Sequence, residues 1–503
     1  MMKNIDYILC KLAAVIAAAL LATACLEKVP GDLIPEEQGM KTLSDAEQTL
    51  TGIYSAYMSG SLYSGLLTLL PDIQTDLVYA VQGNSNTYGT HWLWDIRSTN
   101  QEVEAIYGAL YTVIGRCNFY LDQIDDLRAS LTDDESIQTL DWYTGEVYCA
   151  RALAYSELIR CFCKAYDPAT AENELGVVLS DTYFGEQPKS RASLLDSYAF
   201  VLADLRKAEE MLDEDNDWYS SVYFTQAAAH AVHARVALYM QDWDAAIEHS
   251  SKLINRTDVF ELATTDMYSG NQTYFDYMWT NDAAFEIIWK VGYTVTSYGG
   301  ALGQVFLNFN NDFTYYYPDY VPAQWVLDLY SGNDIRARAY FANGQTGYSH
   351  QLSWPLLVKY YGNESFIQNT IYHVSMPKPL RLAEQYLIRA EAYCQKKQYS
   401  AGASDIAALR RARHTGNVSA SMNADNWLQT ISEERVKELY MEGFRLQDLK
   451  RWHKGFERTP QTLTQSEGSS LKIEAGNPLF VWPIPKNELE APGAEILPNE
   501  SNR

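Results

Sequence analysis

The chain has 503 residues, 47% hydrophobic and 20% charged, enough apolar material for a large core and too much for a disordered chain. Its formal charge of -25, from 39 basic and 64 acidic side chains, argues against nucleic acid as a partner, because such a surface repels phosphate backbones. Tyr and Trp number 37 and 12 against 16 Phe, an excess of rings with polar tips that suits half-wet surfaces as well as cores.

The N-terminus reads as an export signal. Lys3 and Lys11 lead into an apolar run, Leu12 to Ala24, too short to cross a bilayer, which needs about 20 apolar residues. The run ends Leu21-Ala22-Thr23-Ala24-Cys25, which resembles a bacterial lipobox, with Ala22 where the usual Leu would stand. Residues 1–24 are then a signal peptide, and Cys25 is the acylated first residue of the mature chain. Residues 25–43, with Pro30, Gly31 and Pro35, read as a lipid-anchored tether. Beyond Cys10 and Cys25, five cysteines remain: 117, 149, 161, 163 and 394. An odd number cannot all pair with one another, and no zinc-type spacing is present, so buried free thiols are expected.

Residues 44–503 read as one body, with an N-terminal part at 44–220 and a C-terminal part at 221–503. Ser44 and Glu47 form a capping-box pattern for a helix whose face carries Leu50, Ile53, Tyr54 and Tyr57. Apolar periodicity predicts further helices over 103–124, 140–163, 193–212, 225–240 and 243–254. From about 255 to 376 Gly, Asn, Tyr and Pro become frequent, which predicts long loops and short strands inserted into a helical frame. Helices resume over 380–396, 400–413 and 427–453, and the Pro-rich end at 478–502 is expected to lie extended on the body. The helix pairs 227–254 and 383–412 share small contact residues and an aromatic at the turn, as tetratricopeptide units do.

Four C-terminal segments resemble the SusD/RagB family of surface glycan-binding lipoproteins. They are LRLAEQYLIRAEAY (380–393), ALRRARHTGN (408–417), ISEERVKELYMEGFRLQDLKRW (431–452) and VWPIPKNELEAPGAEILPNESN (481–502). The segments at 224–254 and 44–57 match as well, while Pro498-Asn499-Glu500 departs from the family's usual close. The resemblance implies a mostly α fold, a tetratricopeptide-like helical frame with an inserted loop-rich ligand-binding face. It implies a non-enzymatic lipoprotein on the outer membrane, facing the cell exterior through Cys25. It further implies a SusC-like TonB-dependent barrel as partner and a glycan, or in some branches a peptide, as ligand.

Sugar recognition needs flat aromatic faces beside polar side chains. The loop after the first helix offers Asp72, Asp76, Asn86, Tyr88, His91, Trp92 and Trp94, and the insertion offers Tyr298, Tyr315, Tyr316, Tyr317 and Trp354. Core filling is the rival role for the tryptophans, and barrel contact is the rival for the tyrosines.

Glu438 and Glu442, one helical turn apart, could suggest a glycosidase pair. Arg435 and Arg445, spaced three residues from them, instead suggest a structural ion-pair ladder, since nearby guanidiniums keep acids ionised. His230 and His233 lie three apart with no third ligand evident in sequence, so they read as a packed pair, and no metal or cofactor is expected. A peptide-binding lid, a glycan-cleaving enzyme and a pure scaffold are the competing functions.

Overall fold

The computed structural model describes residues 39–502 except 311, 349–352, 417, 462, 466 and 467. The export signal, the lipidation expected at Cys25 and most of the tether lie outside the described residues. The tether's last residues are already packed: Met40 is buried and its N–H donates to Gln123 Oε1 at 2.7 Å. Helix α1 (Leu43–Tyr57) is capped by Thr42, not Ser44, with Asp45 completing the reciprocal capping box. The expected face is buried at Leu50, Ile53 and Tyr57.

After α2 (Leu66–Ile73) come α3 (Gln101–Leu121), α4 (Asp134–Phe162), α5 (Leu194–Met211), α6 (Gln226–Tyr239) and α7 (Trp243–Ile254). Asn100, Asp133, Ser193, Thr225 and Asp242 each cap the helix that follows by accepting a main-chain N–H. Their apolar faces meet in one core that includes Ile53, Leu110, Leu153 and Leu205. Two helical pairs follow a common plan: α6 with α7, and α8 (Leu382–Gln395) with α9 (Tyr399–Arg413). Each turn holds a left-handed residue, Gln241 and Lys397. Pair stacks on pair through small side chains, Ala234, Ala237, Ala246 and Ala392, which let the backbones approach closely. The five cysteines at 117, 149, 161, 163 and 394 are free and buried. Among the described residues no helix is long and apolar enough to cross a membrane.

The insertion is built of short pieces around a second core that includes Trp92, Phe275, Phe306 and Tyr340. Strand β1 (Val78–Ala80) pairs antiparallel with β2 (Tyr320–Pro322), tying the loop after α2 to the insertion. Strands β3 (Phe341–Gln345) and β4 (Ser353–Leu357) form a hairpin alongside. At the C-terminus, Asn499 and Asn502 hold the tail to the body: the Asn499 amide donates to the Phe162 carbonyl, and the Asn502 amide donates to that of Ile484.

The helix expected over 427–453 is broken into α10 (Trp427–Glu438) and α11 (Arg445–Arg451). Met441 and Gly443 adopt φ of 58° and 85°, in the left-handed region. The break lets the Gly443 and Arg445 N–H groups donate to the buried Asp72 carboxylate at 3.0 and 2.8 Å. A Cβ at Gly443 would lie 2.8 Å from the Leu67 carbonyl oxygen. Gly443→Ala is therefore expected to cost about 1–3 kcal/mol, read as a lower urea midpoint with an unchanged m-value.

Candidate functional site

The structure divides the twelve candidate ligand contacts into core and surface. Trp92 is fully buried; its indole N–H donates to the Val78 carbonyl and its ring lies 4.2 Å under the Arg458 guanidinium. The Trp94 indole donates to the Gln74 carbonyl at 2.6 Å, and its ring meets Phe480 edge-on. His91 packs against Trp482, and burial pushes its pKa down to about 3, so it stays neutral. Asp76 is held by a two-pronged pair with Arg445 at 2.9 Å. Burial pushes the Asp72 pKa up to about 7, against the pull of the two main-chain N–H groups. Asp72, Asp76, His91, Trp92 and Trp94, read from sequence as ligand contacts, are buried internal supports: groups elsewhere in the chain take up the polar atoms of Asp72, Asp76, Trp92 and Trp94, and His91 is held through its ring contact with Trp482.

These supports carry a shaped loop above them. Asn86 and Tyr88 both have positive φ, near 60°. Asp319 accepts from the Ser85 N–H and hydroxyl at 2.8 and 2.7 Å, and the Tyr320 hydroxyl donates to the Thr87 carbonyl. Asn86 is exposed and Tyr88 half-buried, beside the segment that carries the insertion's aromatics.

That segment, 308–317, folds back on itself. The Asn310 side-chain oxygen accepts from the N–H groups of Thr314 and Tyr315, and the Tyr317 N–H reaches the Asn308 carbonyl at 2.7 Å. Phe313 stands at its tip, 61% exposed. Phe309 meets Phe313 at 5.3 Å, Tyr316 at 4.9 Å, Tyr372 at 6.1 Å and His373 at 5.1 Å between ring centroids. Tyr317 packs edge-on against Tyr348, whose hydroxyl donates to the Pro318 carbonyl. Tyr315 and Tyr316 are half-buried, and Trp354 is half-buried on β4. Tyr298 is 43% exposed but meets Phe366 rather than this cluster.

Tyr361 joins the aromatic surface to a polar groove. Its ring meets His373 at 6.2 Å and also lines a cavity of about 800 Å³ with Gln272, Asp276, Arg338 and Glu364. Arg338 pairs with Asp276 at 2.6 Å. Ring faces and convergent hydrogen-bonding groups are therefore contiguous, the combination that a sugar's C–H face and hydroxyls require. Phe309, Phe313, Tyr372 and His373 escaped the sequence reading. A phenylalanine set among Asn310, Asp312 and Thr314 was the signal available.

The acidic pair of the C-terminal motif serves another purpose. Glu438 is buried against Arg336, Arg381 and Arg413 at 3.1, 3.0 and 2.9 Å, and Glu442 against Arg381 and Lys359 at 2.7 Å each. Burial alone would raise both pKa values, but the surrounding cations hold them below the ordinary range. Neither acid can keep the proton a general acid must donate. The expected helical ladder is also corrected: Arg435 pairs with Asp448, and Arg445, beyond the break, pairs with Asp76.

Comparison with known proteins agrees with this architecture. A profile described as SusD family matches residues 309–493, and one described as starch-binding associating with outer membrane matches 33–238. The chain belongs to the SusD/RagB superfamily. A crystal structure of a SusD superfamily protein from Bacteroides thetaiotaomicron superposes with a TM-score of 0.77 at 21% identity, covering 91% of this chain and 99% of that one. A SusD-like carbohydrate binding protein from Bacteroides vulgatus gives 0.75 at 20% identity, covering 91% and 98%. A SusD-like protein of Formosa agariphila is 24% identical over 299 residues, 57% of this chain. The match spans 53% of that relative, so the chain covers about half its length. SusD-family proteins are non-catalytic binding proteins, a superfamily known for surface glycan capture linked to TonB-dependent uptake.

Proposed function

We propose that this SusD protein captures an oligosaccharide on the aromatic surface around Phe309, Phe313, Tyr316 and Tyr361 and delivers it to a SusC-like TonB-dependent barrel. Cys25 tethers it by lipid to the outer membrane, with the body facing outward. The carrying observation is the continuity of that surface with the polar groove at Asp276, Arg338 and Glu364. The groups stand on segments fixed by main-chain hydrogen bonds, so little ordering entropy is lost on binding.

Isothermal titration against a polysaccharide panel tests this. Phe313→Ala and Tyr361→Ala are expected to weaken binding of the cognate glycan by about tenfold or more each. Phe313 is 61% exposed, so thermal stability of its variant should hold within about 0.5 kcal/mol, while the loss of Tyr361, 39% exposed, should cost about 1 kcal/mol. Undiminished affinity in both variants would move the site elsewhere. The net charge of -25 favours one second reading, a cationic peptide ligand. Peptide affinity would fall steeply between low and physiological salt, whereas affinity for a neutral glycan would not.

A further inference from the structure

We infer that Glu209, His230 and His249 form a binding site for a divalent transition metal of the zinc class. Glu209 lies near the end of α5, His230 on α6 and His249 on α7, so the site joins three successive helices. The Nδ1 atoms of His230 and His249 are 3.1 Å apart, and they stand 3.2 and 3.4 Å from Glu209 Oε1. These three edges make a nearly equilateral triangle. A tetrahedral ion with bonds of about 2.0–2.1 Å has ligand atoms about 3.3 Å apart, so the triangle is one face of such a site. Among the described residues these three atoms are the set that falls within one coordination sphere.

The surroundings suit a metal centre. The imidazoles of His230 and His249 are buried, 9% and 6% exposed, so they are held rather than solvated. His233 stands outside the triangle and braces it. Its ring stacks on His249 at 3.6 Å, and its Nδ1 lies 2.7 Å from Glu209 Oε1, orienting the carboxylate as an outer-shell partner does. Glu209 and His230 also line a polar groove of about 460 Å³, which gives the ion a path and water for a fourth position. Two neutral imidazole nitrogens with one carboxylate favour zinc-class ions over calcium or magnesium, which take oxygen ligands. Sequence spacing showed only the His230–His233 pair; Glu209 and His249 join it through helix packing. The site shares no residue with the aromatic surface and stands apart from the glycan proposal.

The test is calorimetric titration of the full, untagged, chelator-stripped chain with zinc chloride, with calcium chloride in parallel. One zinc per chain is expected, with no comparable calcium binding, and a Tm rise of about 2–3 °C at a hundredfold excess over Kd. Cobalt(II) in place of zinc should give the visible bands of a four-coordinate site. His230→Ala and His249→Ala should each weaken zinc by more than about 100-fold, and His233→Phe by no more than about 10–100-fold with the stoichiometry kept. Absence of saturable zinc binding, equal binding of calcium, or undiminished zinc affinity in the His230→Ala/His249→Ala double variant would overturn the assignment. If the variants do not fold, the cobalt spectrum of the unaltered chain decides, and its lack of four-coordinate bands would likewise overturn it.

Discussion

Arg381→Ala is expected to remove about 3–5 kcal/mol of stability at neutral pH, a large share of the roughly 5–15 kcal/mol that holds a folded domain. Arg381 is buried, and its guanidinium reaches Glu286 at 2.6 Å, Glu438 at 3.0 Å and Glu442 at 2.7 Å. Removing it leaves three buried carboxylates under-compensated. Arg413 still meets Glu286 and Glu438, and Lys359 still meets Glu442, so the loss falls short of complete exposure of the charges. Arg381→Met fills the volume without the charge. It should lose nearly as much, which assigns the effect to electrostatics rather than to a cavity.

The same network sets a pH signature. Glu438 and Glu442 have folded pKa values depressed below 4.5, so their contribution is present above about pH 4.5 and is lost as pH falls through the folded values. Without Arg381 those folded values rise. The variant's deficit is therefore expected to be largest near pH 7 and to narrow toward pH 4, in thermal unfolding measured across that range. A deficit independent of pH would show that packing, not charge, carries the loss.

This network explains what sequence reading reached and what it missed. The segments that carry the family resemblance supply Arg381, Arg413, Glu438 and Glu442, so the motif is the signature of the frame's ionic core rather than of a ligand site. Local reading placed Glu438 with Arg435 three residues away, yet its cations come from positions 336, 381 and 413. Helical periods depend on near neighbours and were legible: Trp243–Ile254 begins and ends where its pattern does. The break between α10 and α11 was not, because Asp72, hundreds of residues earlier, supplies the partner for the freed N–H groups. Trp92 and Trp94 were ambiguous for the same reason. A tryptophan in a polar loop faces solvent or core according to groups such as Arg458 and Gln74, which no local window contains.

Arg458→Leu should cost at least about 3 kcal/mol and, unlike Phe313→Ala, should weaken glycan binding and stability together. Arg458 is buried, and its hydrogen bonds go to main-chain carbonyls: Thr75 at 3.0 Å, Gln74 at 3.0 Å, Trp92 at 2.7 Å and Ser470 at 3.0 Å. Leucine removes a costly buried charge, whose burial already pulls the guanidinium pKa down to about 9. It also strips that donor from several buried acceptors, each worth about 1–3 kcal/mol when left unpaired. Gln74 keeps the Trp94 indole, but the carbonyls of Thr75, Trp92 and Ser470 lose the guanidinium. The acceptor losses therefore exceed the relief. Because Arg458 also roofs the Trp92 ring, its loss loosens the base of the Asn84–Tyr88 loop and, through β1 and β2, the segment bearing Tyr316 and Tyr317. Arg458→Lys, a compact charge with fewer donors, should recover only part of both properties. Urea unfolding and glycan titration on the same samples check this: a lowered midpoint with unchanged affinity would uncouple the buried support from the binding surface, and an unchanged midpoint would mean that water reaches those carbonyls.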